Sequence, residues 1–175
     1  NNLERSKNST IHSDLNIEKG NYGVLTLHRP SNVDEKDAFS GIIWALEEIG
    51  SKIPLVFPLH PRTKNRAEEF GLTKRLESIP NIVLTGPAGY LDFVALMSES
   101  KLVLTDSGGL QEETTALGIP CLTLRENTER PITVTEGTNT IVGNDPQVII
   151  DSANEILNNG GKAGRIPELW DGKTA

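Results

Sequence analysis

Six short apolar runs punctuate the chain at residues 24–27, 55–59, 82–85, 102–105, 121–124 and 140–142. Each is rich in Val, Ile and Leu and apolar at consecutive positions. That pattern predicts strands buried on both faces, as in a covered parallel sheet. Helical periodicity fills the gaps. Phe39, Ile42, Ile43, Leu46 and Ile49 recur at spacings of three and four and define one helix face, with Asp34 as its expected N-cap. Residues 62–70 read as a short polar helix and 91–97 as a buried one. Residues 111–117 read as a helix closed by Gly118 and Pro120. Asp145-Pro146 places a cap and a first-turn proline ahead of Val148, Ile149, Ser152, Ile156 and Leu157, and Gly160-Gly161 ends that helix. Alternating strands and helices imply right-handed crossovers and an α/β, doubly wound parallel sheet of Rossmann-like type.

Residues 1–20 are polar with scattered apolar positions and are expected to form a lead-in, as helix or linker, ending at the Gly20-Asn21 turn signal. Residues 21–160 form the expected domain. Residues 161–175 read as the start of a further helix.

Composition narrows the function classes. The 175 residues carry a formal net charge of −7, which argues against a nucleic-acid backbone as partner. No run of 18 apolar residues exists, so no membrane-spanning helix is expected, and the polar start lacks a signal-peptide core. A cytoplasmic location is the expectation. One cysteine, Cys121, forms no internal disulfide, and His12, His28 and His60 are too scattered for a structural zinc site. No cofactor is called for.

In open α/β sheets ligands sit beyond the carboxyl ends of the strands. Beyond the first strand lies His28-Arg29-Pro30, beyond the second His60-Pro61-Arg62, and beyond the fifth Arg125, followed by Glu129-Arg130-Pro131. Cations gathered at one edge of an acidic protein point to an anionic ligand. The strongest local signal is Thr105-Asp106-Ser107-Gly108-Gly109-Leu110-Gln111-Glu112-Glu113. Two glycines at a strand-to-helix turn admit a ligand close to the backbone, and the N–H groups of the helix start suit a phosphate. The competing reading is a plain glycine-rich turn capped by Ser107 or Asp106. Glu113, one turn on, is placed to bond a diol, or is a solvated helix acid. His28 reads as a phosphate donor or general acid, or as a histidine satisfied by nearby backbone. Phe93 reads as core, or as a surface on which a base stacks.

In that order, Thr26-Leu27-His28-Arg29, His60-Pro61, the stretch 105–113, Leu117-Gly118-Ile119-Pro120-Cys121-Leu122, Arg125, Thr128-Glu129-Arg130-Pro131 and Glu136-Gly137-Thr138 resemble the UDP-N-acetylglucosamine 2-epimerases from about residue 22 onward. The resemblance implies the second, nucleotide-binding half of a glycosyltransferase-B-like fold. It implies that Ser107, Gly108 and Gly109 hold the diphosphate, that Glu113 holds the ribose, and that Phe93 lies near the uracil. It further implies that His28 contacts the diphosphate or assists catalysis and that Arg130 serves the sugar-phosphate side. Arg29 and His60 match positions that contact a second, activating UDP-N-acetylglucosamine in the bacterial non-hydrolysing members. Many of those members continue His-Arg-Arg-Glu-Asn where this chain has His28-Arg29-Pro30-Ser31-Asn32. The implied partners are UDP or UDP-N-acetylglucosamine, an N-terminal domain of the same enzyme, and a second copy in a homodimer. The implied chemistry is elimination and re-addition of UDP, with the fragment inactive alone. Alternatives are a hydrolysing epimerase releasing N-acetylmannosamine and UDP, a sugar-nucleotide binding module without chemistry, and a glycosyltransferase.

Overall fold

The structure is a computed structural model that describes residues 2–161 and residue 164. In chain order the elements are α1 (Asn2–Ser6), α2 (Ile11–Leu15), β1 (Gly23–Thr26), α3 (Pro30–Val33), α4 (Lys36–Gly50), β2 (Leu55–Pro58), α5 (Pro61–Glu69), α6 (Thr73–Glu77), β3 (Ile82–Thr85), α7 (Tyr90–Ser98), β4 (Leu102–Thr105), α8 (Gly108–Leu117), β5 (Cys121–Thr123), α9 (Pro131–Thr135), β6 (Asn139–Ile141) and α10 (Pro146–Asn159). All neighbouring strands pair in parallel, in the order β3-β2-β1-β4-β5-β6. The α/β, Rossmann-like expectation holds.

Two cores sandwich the sheet. Leu25, Leu55, Phe57 and Leu104 pack against Phe39, Ile42, Ile43 and Leu46 of α4 and Ile149 and Ala153 of α10. On the opposite face Val24, Val56 and Val103 meet Leu96 and Met97 of α7. Each strand presents side chains to alternate faces, and both faces are covered, which is why the runs carry no polar alternation. Tyr22 is fully buried, and its hydroxyl donates to the Leu96 carbonyl at 2.5 Å and meets His12 Nε2 at 2.8 Å, tying α2 to α7.

Several expectations shift by local physics. Asp34 does not cap α4; Glu35 occupies that position, and Asp34 instead pairs with Arg62 and with Arg66 (2.9 Å). The helix expected over 111–117 begins earlier, at Gly108. Three helices were not foreseen: α3 and α9 start at prolines, whose fixed φ suits a first turn, and α6 is a single polar turn. Asp145 caps α10 as expected, accepting from the N–H groups of Gln147 and Val148. The helix expected over 161–175 falls outside the described residues, Gly161 and Gly164 apart. Among the described residues no helix is long and apolar enough to cross a membrane, and no cluster of His, Cys, Asp or Glu is arranged to hold a metal ion.

Candidate functional site

Strands β1 and β4 are neighbours in the sheet, but their connections run in opposite directions, β1 towards β2 and β4 towards β5. The crevice at such a reversal is where open α/β sheets bind ligands. The two strand ends are tied there: Thr26 Oγ1 and Thr105 Oγ1 are 2.7 Å apart, and Thr105 Oγ1 also accepts from Ser107 N at 2.9 Å.

Above them lies a cleft of about 310 Å³. His28, His60, Phe93, Ser107 and Leu110 line it. The structure thus brings together four residues singled out in the sequence, from the turns after β1 and β2, from α7 and from the N-cap of α8. The rings of His28 and His60 stand 5.3 Å apart, tilted by 33°. Gly108 and Gly109 form the first turn of α8, whose N-cap residue Ser107 makes no side-chain capping bond. The unpaired N–H groups of that turn carry the positive end of the helix dipole. A side chain at Gly109 would project into open space, and one at Gly108 would come within 3.7 Å of Glu129 Oε2.

Glu113, Arg130 and Arg29 are not among the residues that line this cleft. Glu113 is half-buried on α8; burial and then the Glu112 charge push its carboxyl up. Arg130 is exposed and ion-paired through Nε to Glu112 at 2.7 Å. Arg29 lines a second, polar cleft of about 390 Å³ with Asn32, Arg125 and Asn127.

The cationic edge expected from the sequence is largely neutralised. Arg125 makes a two-pronged pair with Glu129 (2.5 and 2.8 Å), which holds the Glu129 carboxyl down at about 2. Arg62 and Arg66 are taken by Asp34, and Arg130 by Glu112. The start of the α8 dipole, the histidines and Arg29 are what this end of the sheet still offers an anion.

Two residues have roles the sequence does not give: Asp106, which reads there only as a possible cap although Ser107 holds that position, and Gln111. Asp106, fully buried at the end of β4, accepts from Arg29 N (2.9 Å), Asn32 Nδ2 (3.0 Å) and His28 N (3.1 Å), and sits 3.0 Å from His28 Nδ1. Burial alone would push its carboxyl up; the hydrogen bonds from His28, Arg29 and Asn32 more than offset that and hold it below the usual range. Gln111, also buried, accepts from Thr128 Oγ1 (2.5 Å) and Asn139 Nδ2 (2.9 Å), fastening the loop before α9 to α8. The signal for Asp106 was its place directly after a strand. The signal for Gln111 was a polar side chain at a helix position facing the sheet.

Comparison with known proteins points one way. The family model described as UDP-N-acetylglucosamine 2-epimerase matches residues 1–175. The chain is 43% identical over 157 residues to the UDP-N-acetylglucosamine 2-epimerase of Methanocaldococcus jannaschii, covering 87% of this chain and 43% of that one. It is 42% identical to the Pseudomonas aeruginosa UDP-2,3-diacetamido-2,3-dideoxy-D-glucuronate 2-epimerase, over 77% of this chain and 36% of the relative. The M. jannaschii enzyme in complex with UDP-GlcNAc and UDP superposes with a TM-score of 0.82 at 42% identity, over 90% of this chain and 44% of that one. The Neisseria meningitidis enzyme bound to UDP-GlcNAc gives 0.79 at 32%, over 91% and 44%. An Escherichia coli heptosyltransferase, 17% identical with a TM-score of 0.55 over 86% of this chain and 47% of that one, shares the fold alone. The chain spans less than half the length of these relatives. It belongs to the UDP-N-acetylglucosamine 2-epimerase family.

Proposed function

We propose that this chain is the nucleotide-binding half of an enzyme that interconverts UDP-N-acetylglucosamine and UDP-N-acetylmannosamine by elimination and re-addition of UDP. The observation that carries this reading is the cleft over β1 and β4. It places an uncapped α8 N-terminus, two histidines and Phe93 at the crevice where the strand connections reverse.

In this reading the diphosphate lies against the Gly108 and Gly109 N–H groups, with the Ser107 hydroxyl as a further donor. The ring of Phe93 lies beside the uracil, and Glu113 accepts from the ribose hydroxyls. His28 reaches the phosphates. Departure of UDP builds negative charge on the diphosphate, and preorganised helix dipoles and His28 stabilise it. Arg130 joins from the sugar side once it leaves Glu112. Arg29 and His60 are the candidates to contact a second, activating sugar nucleotide. Residues 1–20 serve as lead-in to the domain at 21–160. Removal of the C2 proton needs a base. We assign that base to a further domain of the whole enzyme, so the chain alone binds ligand without turning it over, and the whole enzyme works as a homodimer.

Calorimetric titration of UDP into the chain tests the reading. Saturable binding is expected, weakened by Ser107→Ala and Glu113→Ala. Absence of heat and of NMR shift changes at millimolar UDP would overturn it, and so would variants that bind like the parent. Epimerisation by the isolated chain would overturn the division of labour.

A further inference from the structure

We propose that Asp106 is a positioning residue that turns His28 into a proton-gated donor, so that binding of the diphosphate takes up one proton at the His28 ring. The proposal rests on the UDP reading above and adds a regulator to it.

The geometry around His28 is constrained from beneath. An ionised carboxylate only accepts hydrogen bonds. Asp106 Oδ1 lies 3.0 Å from His28 Nδ1, and the Asp106 side chain is fully buried. Nδ1 must therefore carry its hydrogen, and the neutral ring keeps a bare lone pair on Nε2. The same carboxylate also accepts from the backbone N–H groups of His28 and Arg29 and from the Asn32 amide, so neither partner of the pair is free to swing away.

His60 is held in the opposite sense. It is the N-cap of α5, and its Nδ1 accepts from Arg62 N at 3.1 Å. A neutral His60 therefore carries its hydrogen on Nε2 and can donate without a further proton. The two rings face one cleft, yet only one of them must be protonated to donate.

A phosphate oxygen offers only lone pairs to its neighbours. Against the neutral His28 ring it meets another lone pair; against the protonated ring it meets an N–H donor whose positive charge is supported by Asp106. The charged groups around His28 come from several elements, and Arg125, beyond β5, acts on Asp106 at longer range. Asp106 approaches from β4, the His60 ring from the start of α5, and Arg29 follows along the chain with its Nε donating to the Asp106 carbonyl. Glu129 lies beyond, acting on Arg29 at longer range. From α7 and α8 the cleft receives Phe93, Ser107 and Leu110, none of which titrates near neutrality. The proton comes from solvent, adds to Nε2, and no covalent bond to the ligand forms.

UDP-N-acetylglucosamine is the probe, because its diphosphate diester has no ionisation of its own near neutral pH. Titrations in two buffers of different ionisation enthalpy, repeated at several pH values from neutral into the alkaline range, read the proton uptake. We expect proton uptake that grows as pH is raised and a Kd that weakens with it. His28→Gln should abolish the uptake and flatten the pH profile, while His60→Asn should leave it. Ring nitrogen-15 NMR of the unmodified chain should show neutral His28 as the Nδ1–H tautomer and neutral His60 as Nε2–H. Asp106→Asn should shift His28 towards Nε2–H, because an amide can donate to Nδ1. Binding without proton uptake, uptake that follows His60, or a neutral His28 with its hydrogen on Nε2 would each overturn the proposal. The NMR readout needs no ligand, so a chain that ignores the nucleotide but shows the expected tautomers sinks the UDP reading and the coupling, and leaves the positioning role of Asp106 supported.

Discussion

His28 and His60 each lie two residues beyond adjacent strands, β1 and β2, and face each other across one cleft, yet the fold uses them differently. His60 is an exposed helix cap whose Nδ1 serves a backbone N–H of its own turn. His28 rests on a carboxylate buried at the end of a strand 78 residues away in sequence. The first is a local device that any short polar side chain could replace. The second exists only when the sheet is assembled. The lesson is that the atom bonded behind an imidazole decides what its front can do.

The comparison breaks most sharply at Asp106. Asp106→Ala leaves two backbone N–H groups, the Asn32 amide and the His28 ring without their shared acceptor. We expect a loss of about 3–5 kcal/mol in urea denaturation. Next, His28→Gln should weaken UDP binding by about tenfold or more near neutral pH, since a charge-assisted bond is lost. His60→Ala should cost about 1 kcal/mol of stability, whereas His60→Asn should restore the cap, and thermal melts distinguish the two. The smallest effect is expected for Glu112→Gln. It frees Arg130 from an exposed ion pair, and UDP should bind about two- to threefold tighter at low salt, with the gain vanishing as salt is raised.

Acid provides a further separation. The Asp106 carboxyl is held below the ordinary range in the folded chain. Its contribution to stability is therefore fully present above the unfolded value, about 3.9, and is lost as pH falls through the folded value. Melting temperatures should fall below about pH 4, and Asp106→Asn should flatten that part of the profile. A variant with an unchanged acid limb would place the stabilising role of Asp106 elsewhere.

Much of the architecture was legible because burial on both faces leaves an unambiguous mark. Each of the six apolar runs became a strand, with ends displaced by no more than a residue or so. Asp145-Pro146 also spoke plainly, since a cap and a first-turn proline act within a few residues. What escaped depends on distance along the chain. Asp34 reads as a cap until Arg62 and Arg66, on another helix, claim its carboxylate. The arginine-rich edge looks cationic until Glu112 and Glu129 are seen beside Arg130 and Arg125. Asp106 reads as no more than a cap of the glycine-rich turn until its partners, in the turn after β1, are folded onto it. For the cleft itself, the rule that ligands sit beyond strand ends found His28, His60 and Ser107. It did not show that Arg130 is ion-paired to Glu112.

The strand order has a kinetic consequence. The His28–Asp106 contact joins residues 78 apart, and closing so long a loop is entropically costly before any contact rewards it. Local units such as the His60 turn and α10 can form early, but the cleft cannot exist in a partly folded chain that has not docked β4 onto β1. Ligand recognition in a refolding experiment should therefore appear together with the global transition, and the central strand pair serves as the molecule's own checkpoint that folding is complete.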